Sequence, residues 1–191
     1  MAIDRTAVIG FPVDHSLSPF IHNHWIKELV LNIKPYEKIN VDPSRFEEQI
    51  NNLKAEGYGG LNVTVPLKQL AFNISDETSG VSKKLKSVNT LSLGSDKING
   101  DNTDAVGFIN SLDEKTIEKN ITNKKTLVLG AGGSARSVVH ALNELGSQVR
   151  LFNRTPEKAA ILLNDLSINS SPVSTEELDD YANSSSFIVN T

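Results

Sequence analysis

Cysteine is absent from this 191-residue chain. Disulfides, thiolate metal ligands and cysteine nucleophiles are therefore excluded, and a reducing compartment is the natural setting. Histidine is scarce as well, with four residues. His22 and His24 stand two apart, a spacing that does not share a helix face, so no metal pair is expected. Long apolar runs are missing: none approaches the roughly 20 residues of a membrane span. The opening Met1-Ala2-Ile3-Asp4-Arg5 lacks the apolar core of a signal peptide. A large excess of one charge is missing too. At a net charge of −4 there is no electrostatic reason to expect nucleic acid or an anionic membrane as partner. A cytoplasmic protein is expected.

What remains is ordinary globular composition, 38% hydrophobic and 22% charged, at a length that suits one large domain or two small ones. The chain is organised around Gly59-Gly60-Leu61-Asn62-Val63-Thr64-Val65-Pro66-Leu67-Lys68. Leu61, Val63 and Val65 alternate with Asn62 and Thr64, the period of a strand. Pro66 then ends the strand and suits the first turn of a helix. An amide, a hydroxyl and an ammonium, from Asn62, Thr64 and Lys68, thus gather near one point. They are either ordinary polar residues of an edge strand or a grip for a polyhydroxylated small molecule, with Lys68 able to move a proton.

Ahead of this stretch, Ala7-Val8-Ile9-Gly10 reads as a short buried strand. Ser18 before Pro19 suits a helix N-cap, and Ile21, Trp25 and Leu29 form one apolar helix stripe. Ser16 and Ser18 either cap and solvate this turn or bind a ligand at the strand's carboxyl end, where α/β folds place ligands. Tyr36 to Val41 is a second strand. Ser44-Arg45-Phe46-Glu47 has capping-box character, Phe46, Ile50 and Leu53 form the next buried stripe, and Gly57 stops that helix. The order β-α-β-α-β argues for a parallel sheet covered by helices. Asp76 to Ser87 reads as helical. Val88 to Leu93 and Lys97 to Gly100 read as paired strands around Gly94-Ser95-Asp96. Asn102, Thr103 and Asp104 can each cap a helix through Phe108, Ile109 and Leu112. Asp104 is either a cap alone or the acid that pairs with Lys68 in proton transfer. Glu114 to Lys125, charged and without periodicity, reads as a linker.

The remainder has a plainer signature. Thr126-Leu127-Val128-Leu129 is a strand. Gly130-Ala131-Gly132-Gly133-Ser134-Ala135 follows at once, and a helix through Val138, Val139, Leu142 and Leu145 closes at Gly146. Val149 to Phe152 is the next strand. This is the dinucleotide fingerprint in its strand–turn–helix context, with Ala135 at the third glycine position. Gly130 permits the turn, Gly132 admits the pyrophosphate, and the helix N-terminus supplies partial positive charge. The second strand ends in Asn153-Arg154-Thr155, without the acid that holds a ribose 2′-hydroxyl. A guanidinium there can bind a 2′-phosphate, which favours NADP. Alternatively Arg154 is merely solvated and Thr155-Pro156 opens the next helix. An acidic helix from Thr175 to Tyr181 leads to a third strand, Phe187 to Asn190. Half of a doubly wound fold is then in view.

Taken together, Ser16-Leu17-Ser18-Pro19, Asn62 to Lys68, Val88-Asn89-Thr90-Leu91, Asn102-Thr103-Asp104, Gly130 to Ala135 and Asn153-Arg154-Thr155 resemble the shikimate dehydrogenase family. The resemblance covers essentially the whole chain. It implies an α/β protein with a mostly parallel N-terminal substrate-binding domain over residues 1–103 and a connecting helix and linker over 104–124. A Rossmann-type NADP-binding domain, incomplete at its C-terminus, would occupy 125–191. It implies reversible NADPH-dependent reduction of 3-dehydroshikimate to shikimate, a step toward chorismate and the aromatic amino acids, in the cleft between the domains. By resemblance, Ser16, Ser18, Asn62, Thr64, Lys68, Asn89 and Asp104 would bind substrate and Lys68 with Asp104 would be the catalytic pair. Gly130 to Ala135 and Asn153 to Thr155 would hold the cofactor. The partner would be a small molecule, and the protein a monomer or homodimer. Two alternatives stand beside this: a quinate/shikimate dehydrogenase with looser cofactor use, and a non-catalytic ligand-binding module.

Overall fold

Branched and small apolar residues make Arg5–Gly10 the first strand, β1, and its last four residues are buried. The computed structural model describes residues 5–191; Met1 to Asp4, read above for a signal-peptide core, lie outside the described residues. The chain divides into two compact units, one ending at Asn102 and the other spanning Thr103–Thr191.

In the first unit, β1 is followed by α1 (Ser18–Glu28), β2 (Glu37–Asn40), a 3₁₀ turn (Pro43–Arg45), α2 (Phe46–Ala55) and β3 (Tyr58–Val63). Then come α3 (Lys68–Ile74), β4 (Glu77–Thr78), α4 (Gly80–Leu85), β5 (Thr90–Leu93) and β6 (Ile98–Asp101). Six strands form one sheet in the order β2-β1-β3-β5-β6-β4. The β1–β2, β1–β3 and β4–β6 pairs are parallel. β5 runs antiparallel to β3 and β6; the short turn at Gly94 to Asp96 can join β5 and β6 only as antiparallel neighbours. The core lies between the sheet and α2 and α3: Ala7, Ile9, Phe46, Ile50, Leu53, Leu61, Val63 and Leu67 pack in one cluster. The expected α2 stripe is therefore the buried face, and Gly57 at φ 89° lets the chain leave the helix.

Several local expectations change. The α1 stripe does not reach the core: Ile21, Trp25 and Leu29 are 43%, 52% and 66% exposed. Apolar spacing reports which face of a helix is apolar, not what covers it. Ser18 is the first helical residue rather than the cap, and its N–H donates to Ser16 Oγ at 3.3 Å. Asp42, not Ser44, caps the 3₁₀ turn, accepting from the Ser44 N–H at 2.8 Å, and α2 starts without a side-chain cap. Pro66 sits in a turn before α3 rather than in its first turn, and the helix starts at Lys68. Asp76 to Ser87 is not one helix. Glu77–Thr78 pairs with β6, and Ser79 then caps α4 through the Ser82 N–H.

In the second unit, α5 (Asp104–Asn110) is followed by a helical turn α6 (Glu114–Thr116), a π turn (Ile117–Ile121), β7 (Lys125–Leu129) and α7 (Gly133–Glu144). β8 (Gln148–Phe152), α8 (Pro156–Asp165), α9 (Leu178–Ser184) and β9 (Phe187–Asn190) complete it. The three strands expected from sequence form a parallel sheet in the order β8-β7-β9. The stretch read as a linker is ordered. Asp113 caps α6 through the Thr116 N–H, and Ile121 is fully buried beside Val128, Val139 and Leu142. Its charges mask one apolar anchor per turn, too sparse for a periodic signal. The acidic helix starts later than expected, at Leu178. Ser174 and Glu177 exchange side-chain-to-backbone bonds just before it, a capping box. This second unit is the start of a doubly wound α/β fold, and the first is a mixed, mostly parallel α/β layer structure.

Candidate functional site

In the second unit, β7 delivers the chain to Gly130 and α7 leaves from Gly132. Gly130 has φ +107°, and its N–H donates to the Phe152 carbonyl at 2.8 Å. A Cβ there would lie 2.6 Å from Thr191 Oγ1 and 2.8 Å from the Thr191 carbonyl oxygen. Only glycine meets both demands. At Gly132, by contrast, a Cβ would meet nothing within 4 Å. Gly133 and Ser134 form the first turn of the 12-residue α7, with their N–H groups at its positive end, while Ala135 is buried against the sheet. A cleft of about 500 Å³ opens in front of this turn, lined by Gly130, Ala131, Gly132, Asn153, Arg154 and Thr155 among others.

Asn153 has a different job from the ribose acid of NAD-binding folds. Its Oδ1 accepts from the Ala131 N–H at 3.1 Å and its Nδ2 donates to the Thr155 carbonyl at 2.8 Å. It braces the glycine turn against the loop that carries Arg154. Thr155 occupies the N-cap position of α8 but makes no side-chain cap bond. Lys158, Asn190 and Thr191 also line the cleft. Lys158 could have been found as a second cation one turn after Arg154; the other two needed the β7–β9 pairing. An open glycine turn at a helix N-terminus, flanked by two exposed cations, fits a ligand carrying a pyrophosphate and a further phosphate.

In the first unit, the candidate residues gather at the ends of β1, β3 and β5. Ser16 and Ser18 stand at the start of α1. Thr64 follows β3, donating its N–H to the Ile9 carbonyl at 2.9 Å, and its methyl presses on Gly10, where a Cβ would sit 2.6 Å away. Lys68 is the first residue of α3 and only 7% exposed. Its carbonyl accepts from the Val88 N–H at 2.9 Å, which ties α3 to the segment before Asn89. The Asn89 carbonyl accepts from the Val63 N–H at 2.7 Å. Backbone bonds thus hold Thr64, Lys68 and Asn89 to the same end of the sheet.

Asn62 lies one step back along β3. Both polar ends of its amide are engaged within the protein: Oδ1 accepts from the Tyr36 hydroxyl at 2.7 Å and Nδ2 donates to Thr90 Oγ1 at 3.3 Å. Burial pushes the Tyr36 phenol well above its usual range, so the proton stays on the hydroxyl. His22 stacks on the Tyr36 ring, with centroids 4.2 Å apart, and burial lowers its pKa. Neither Tyr36, read from sequence only as the start of a strand, nor Thr90, within the Val88-Asn89-Thr90-Leu91 motif, was among the site residues expected from sequence. In the second unit, Asp104 is the first residue of α5, where a carboxylate suits the helix dipole. Asn102, considered above as a cap, instead donates to the Ser87 carbonyl at 3.0 Å from a buried position.

The two units match known proteins in chain order. The family model described as the shikimate dehydrogenase substrate binding domain matches residues 8–91, and that described as shikimate/quinate 5-dehydrogenase matches residues 111–191. A shikimate dehydrogenase (NADP(+)) of Pelagibacter ubique is 47% identical over 80% of this chain and 57% of its own length. That of Hyphomonas neptunium is 38% identical over 96% of this chain and 67% of its own. Shikimate dehydrogenase from Aquifex aeolicus superposes with a TM-score of 0.86 at 37% identity, over 99% of this chain and 68% of that one. The Thermus thermophilus enzyme, solved with NADP(H) and shikimate, superposes at 0.81 with 32% identity, over 98% and 67%. The chain spans little more than half the length of several such curated relatives. Sequence identity and superposition agree across both units, and the chain belongs to the shikimate dehydrogenase family.

Proposed function

We propose that this chain binds shikimate and 3-dehydroshikimate through its first unit and NADP through its second, and interconverts the two acids. The observation that carries the reading is the cleft at the glycine turn of β7 and α7, with its open Gly132 and the cations Arg154 and Lys158 at its rim. On this reading residues 1–103 are the substrate-binding domain, 104–124 the connecting helix and linker, and 125–191 the cofactor domain. The relatives named above as NADP(+) enzymes, and the Thermus structure with both ligands, support the same assignment.

NADPH, when bound, supplies the hydride. The peptide N–H groups of Gly132, Gly133 and Ser134 would hold its pyrophosphate, and Arg154 with Lys158 its 2′-phosphate, which selects it over NAD. Ser16, Ser18, Thr64 and Asn89 would hold the substrate's carboxylate and hydroxyls, with Asn62 supporting from behind. As the ketone carbon is reduced, negative charge grows on its oxygen, and Lys68 donates a proton there, yielding the alcohol. Asp104 is assigned as the second acid–base group of the reaction, and solvent restores the proton that Lys68 gives up. The buried position of Lys68 keeps the ammonium out of bulk water, where its charge acts more strongly on the developing oxyanion. We assign the chain to the cytoplasm, as a monomer or homodimer.

The test is reduction of 3-dehydroshikimate followed by NADPH absorbance, with Lys68→Ala beside the parent chain. Turnover in Lys68→Ala is expected to fall at least a hundredfold with substrate affinity changed far less, since proton donation is felt only in the transition state. Equal losses in turnover and affinity would remove Lys68 from the donor role. Quinate and NAD, run in parallel, separate this reading from a dehydrogenase of looser selectivity.

A further inference from the structure

Helix α1 begins at the two serines of the substrate end, yet it is thinly packed. None of its residues is buried. Its Ile26 rests half-buried on Val8, Val13 and Tyr36, and its His22 ring stacks on Tyr36. Apolar contact is non-directional, so by itself it resists a sliding helix weakly. Two asparagines supply direction. Asn23 of α1 lies against the backbone just before β2: its Oδ1 accepts from the Tyr36 N–H at 2.8 Å and its Nδ2 donates to the Tyr36 carbonyl at 3.0 Å. Asn40 closes β2 and pairs with Gly10, so it stands where β1 releases the chain into the loop that carries Ser16. Its Oδ1 accepts from the Val13 N–H at 2.9 Å, and its Nδ2 donates to Asp14 Oδ1 at 3.4 Å. Lys38, two residues back and so on the same face of β2, donates to the Asp14 carbonyl at 2.5 Å.

Only one orientation suits each amide. A backbone N–H can only donate and a carbonyl can only accept. The Tyr36 peptide groups therefore fix both ends of Asn23, and the Val13 N–H fixes Asn40. Tyr36 and Val13 are 5% and 1% exposed. Water reaches such residues poorly, so removing either asparagine leaves a buried donor unmet. From Val13 the grip passes along the loop. The Val13 carbonyl accepts from the Ser16 N–H at 3.0 Å, which closes a turn. Ser16 Oγ then accepts from the Ser18 N–H at 3.3 Å at the start of α1. Asn40 holds the front of this loop, and Asn23 holds the helix behind it.

We propose that Asn23 and Asn40 are positioning residues, two amide clamps that fasten α1 and the loop before it to β2 and so place the Ser16 and Ser18 hydroxyls for the substrate. This rests on the substrate assignment made above. In this role neither asparagine touches the ligand. A hydrogen bond holds its length to within about half an ångström, so the two hydroxyls keep one place at the sheet end that also carries Thr64.

The experiment uses the full chain with Asn23→Ala, Asn40→Ala, Asn40→Asp and the double variant Asp14→Asn with Asn40→Asp. Backbone amide exchange is followed by proton–nitrogen correlation spectroscopy, and shikimate and NADP are titrated separately. The alanine variants are expected to speed exchange at Tyr36 and at Val13 respectively by about tenfold or more, and each to weaken shikimate about tenfold with NADP affinity unchanged. Asn40→Asp keeps the acceptor for Val13 but sets a carboxylate against that of Asp14, and shikimate weakens about tenfold. Asp14→Asn in the same chain returns a donor from the other side of that contact and restores shikimate affinity to within about twofold, a rescue that a merely structural role does not produce. Unmoved exchange at Val13 or Tyr36, parent-like shikimate affinity in either alanine variant, or no rescue in the double variant overturns the proposal. Equal acceleration at the Ile9 and Leu61 amides of the sheet core also overturns it, since that marks loss of the whole unit. If the parent chain binds no shikimate, the proposed function falls and the substrate role of the clamps falls with it. Exchange at Val13 and Tyr36 then decides separately whether the clamps hold α1.

Discussion

Gly130 and Gly132 stand two residues apart in the same turn, yet the structure asks opposite things of them. Alanine at 130 must adopt φ +107° and place its Cβ 2.6 Å and 2.8 Å from two oxygens of Thr191, one of them backbone on the strand edge. An unfavourable left-handed conformation costs about 1–2 kcal/mol, and forced overpacking about 1–3 kcal/mol, so Gly130→Ala is expected to destabilise the second unit by about 2–5 kcal/mol. Alanine at 132 inherits φ −86° and ψ −169°, open to any residue, and meets no atom within 4 Å. Its cost is the weaker capping of alanine relative to glycine, partly offset by a less flexible unfolded chain, and the net is within about 1 kcal/mol. On the proposed function, however, the new methyl stands where the cofactor's pyrophosphate would approach the turn. Gly132→Ala should therefore weaken NADP tenfold or more with the fold intact. Urea titration read by hydrogen exchange at peptide resolution follows the second unit apart from the first, and calorimetry follows NADP. The reasoning is refuted if the two variants unfold at the same urea concentration, or if Gly132→Ala binds NADP like the parent.

Asn153→Asp keeps the acceptor for Ala131 and loses the donor to the Thr155 carbonyl, setting a carboxylate against that oxygen and beside Arg154; NADP affinity should drop at least tenfold and NAD affinity much less, by parallel titration. Val30 holds φ 52° while 87% exposed, a strained conformation for a branched residue with no packing to lose; Val30→Gly should raise the melting temperature slightly, through a gain of about 0.5–1 kcal/mol, by scanning calorimetry. The Asp42 carboxyl is held below its usual pKa by the Ser44 hydroxyl and backbone N–H. Because the folded pKa is the lower one, its stabilising effect is present above the ordinary carboxylate range and lost as pH falls through the depressed value. Asp42→Asn should thus flatten the stability profile of the first unit below about pH 4, measured by urea midpoints across pH.

Strand–turn–helix at Gly130 was legible because its requirement is local: a chain that reverses sharply onto a helix start needs glycine there whatever surrounds it. The same holds for the α2 stripe, where spacing and burial coincide, and for the β5–β6 hairpin. Where reading failed, a distant partner decided. Ile21, Trp25 and Leu29 have the spacing of a core stripe but stand on a helix whose neighbours do not cover them. Glu77–Thr78 became a strand because β6 offered an open edge. Ile121 anchors a segment whose composition says linker.

Residue types and their order along the chain determined the family, the alternation of strands and helices, and the positions of the glycine turn and its cations, because each depends on contacts within a few residues. Tertiary structure alone decided what the asparagines do. Asn62 and Asn153 look like ligand contacts in sequence, yet each amide oxygen accepts from a group 22 or 26 residues away. A hydrogen bond has direction as well as length, and only the folded chain fixes which groups each end of an amide meets.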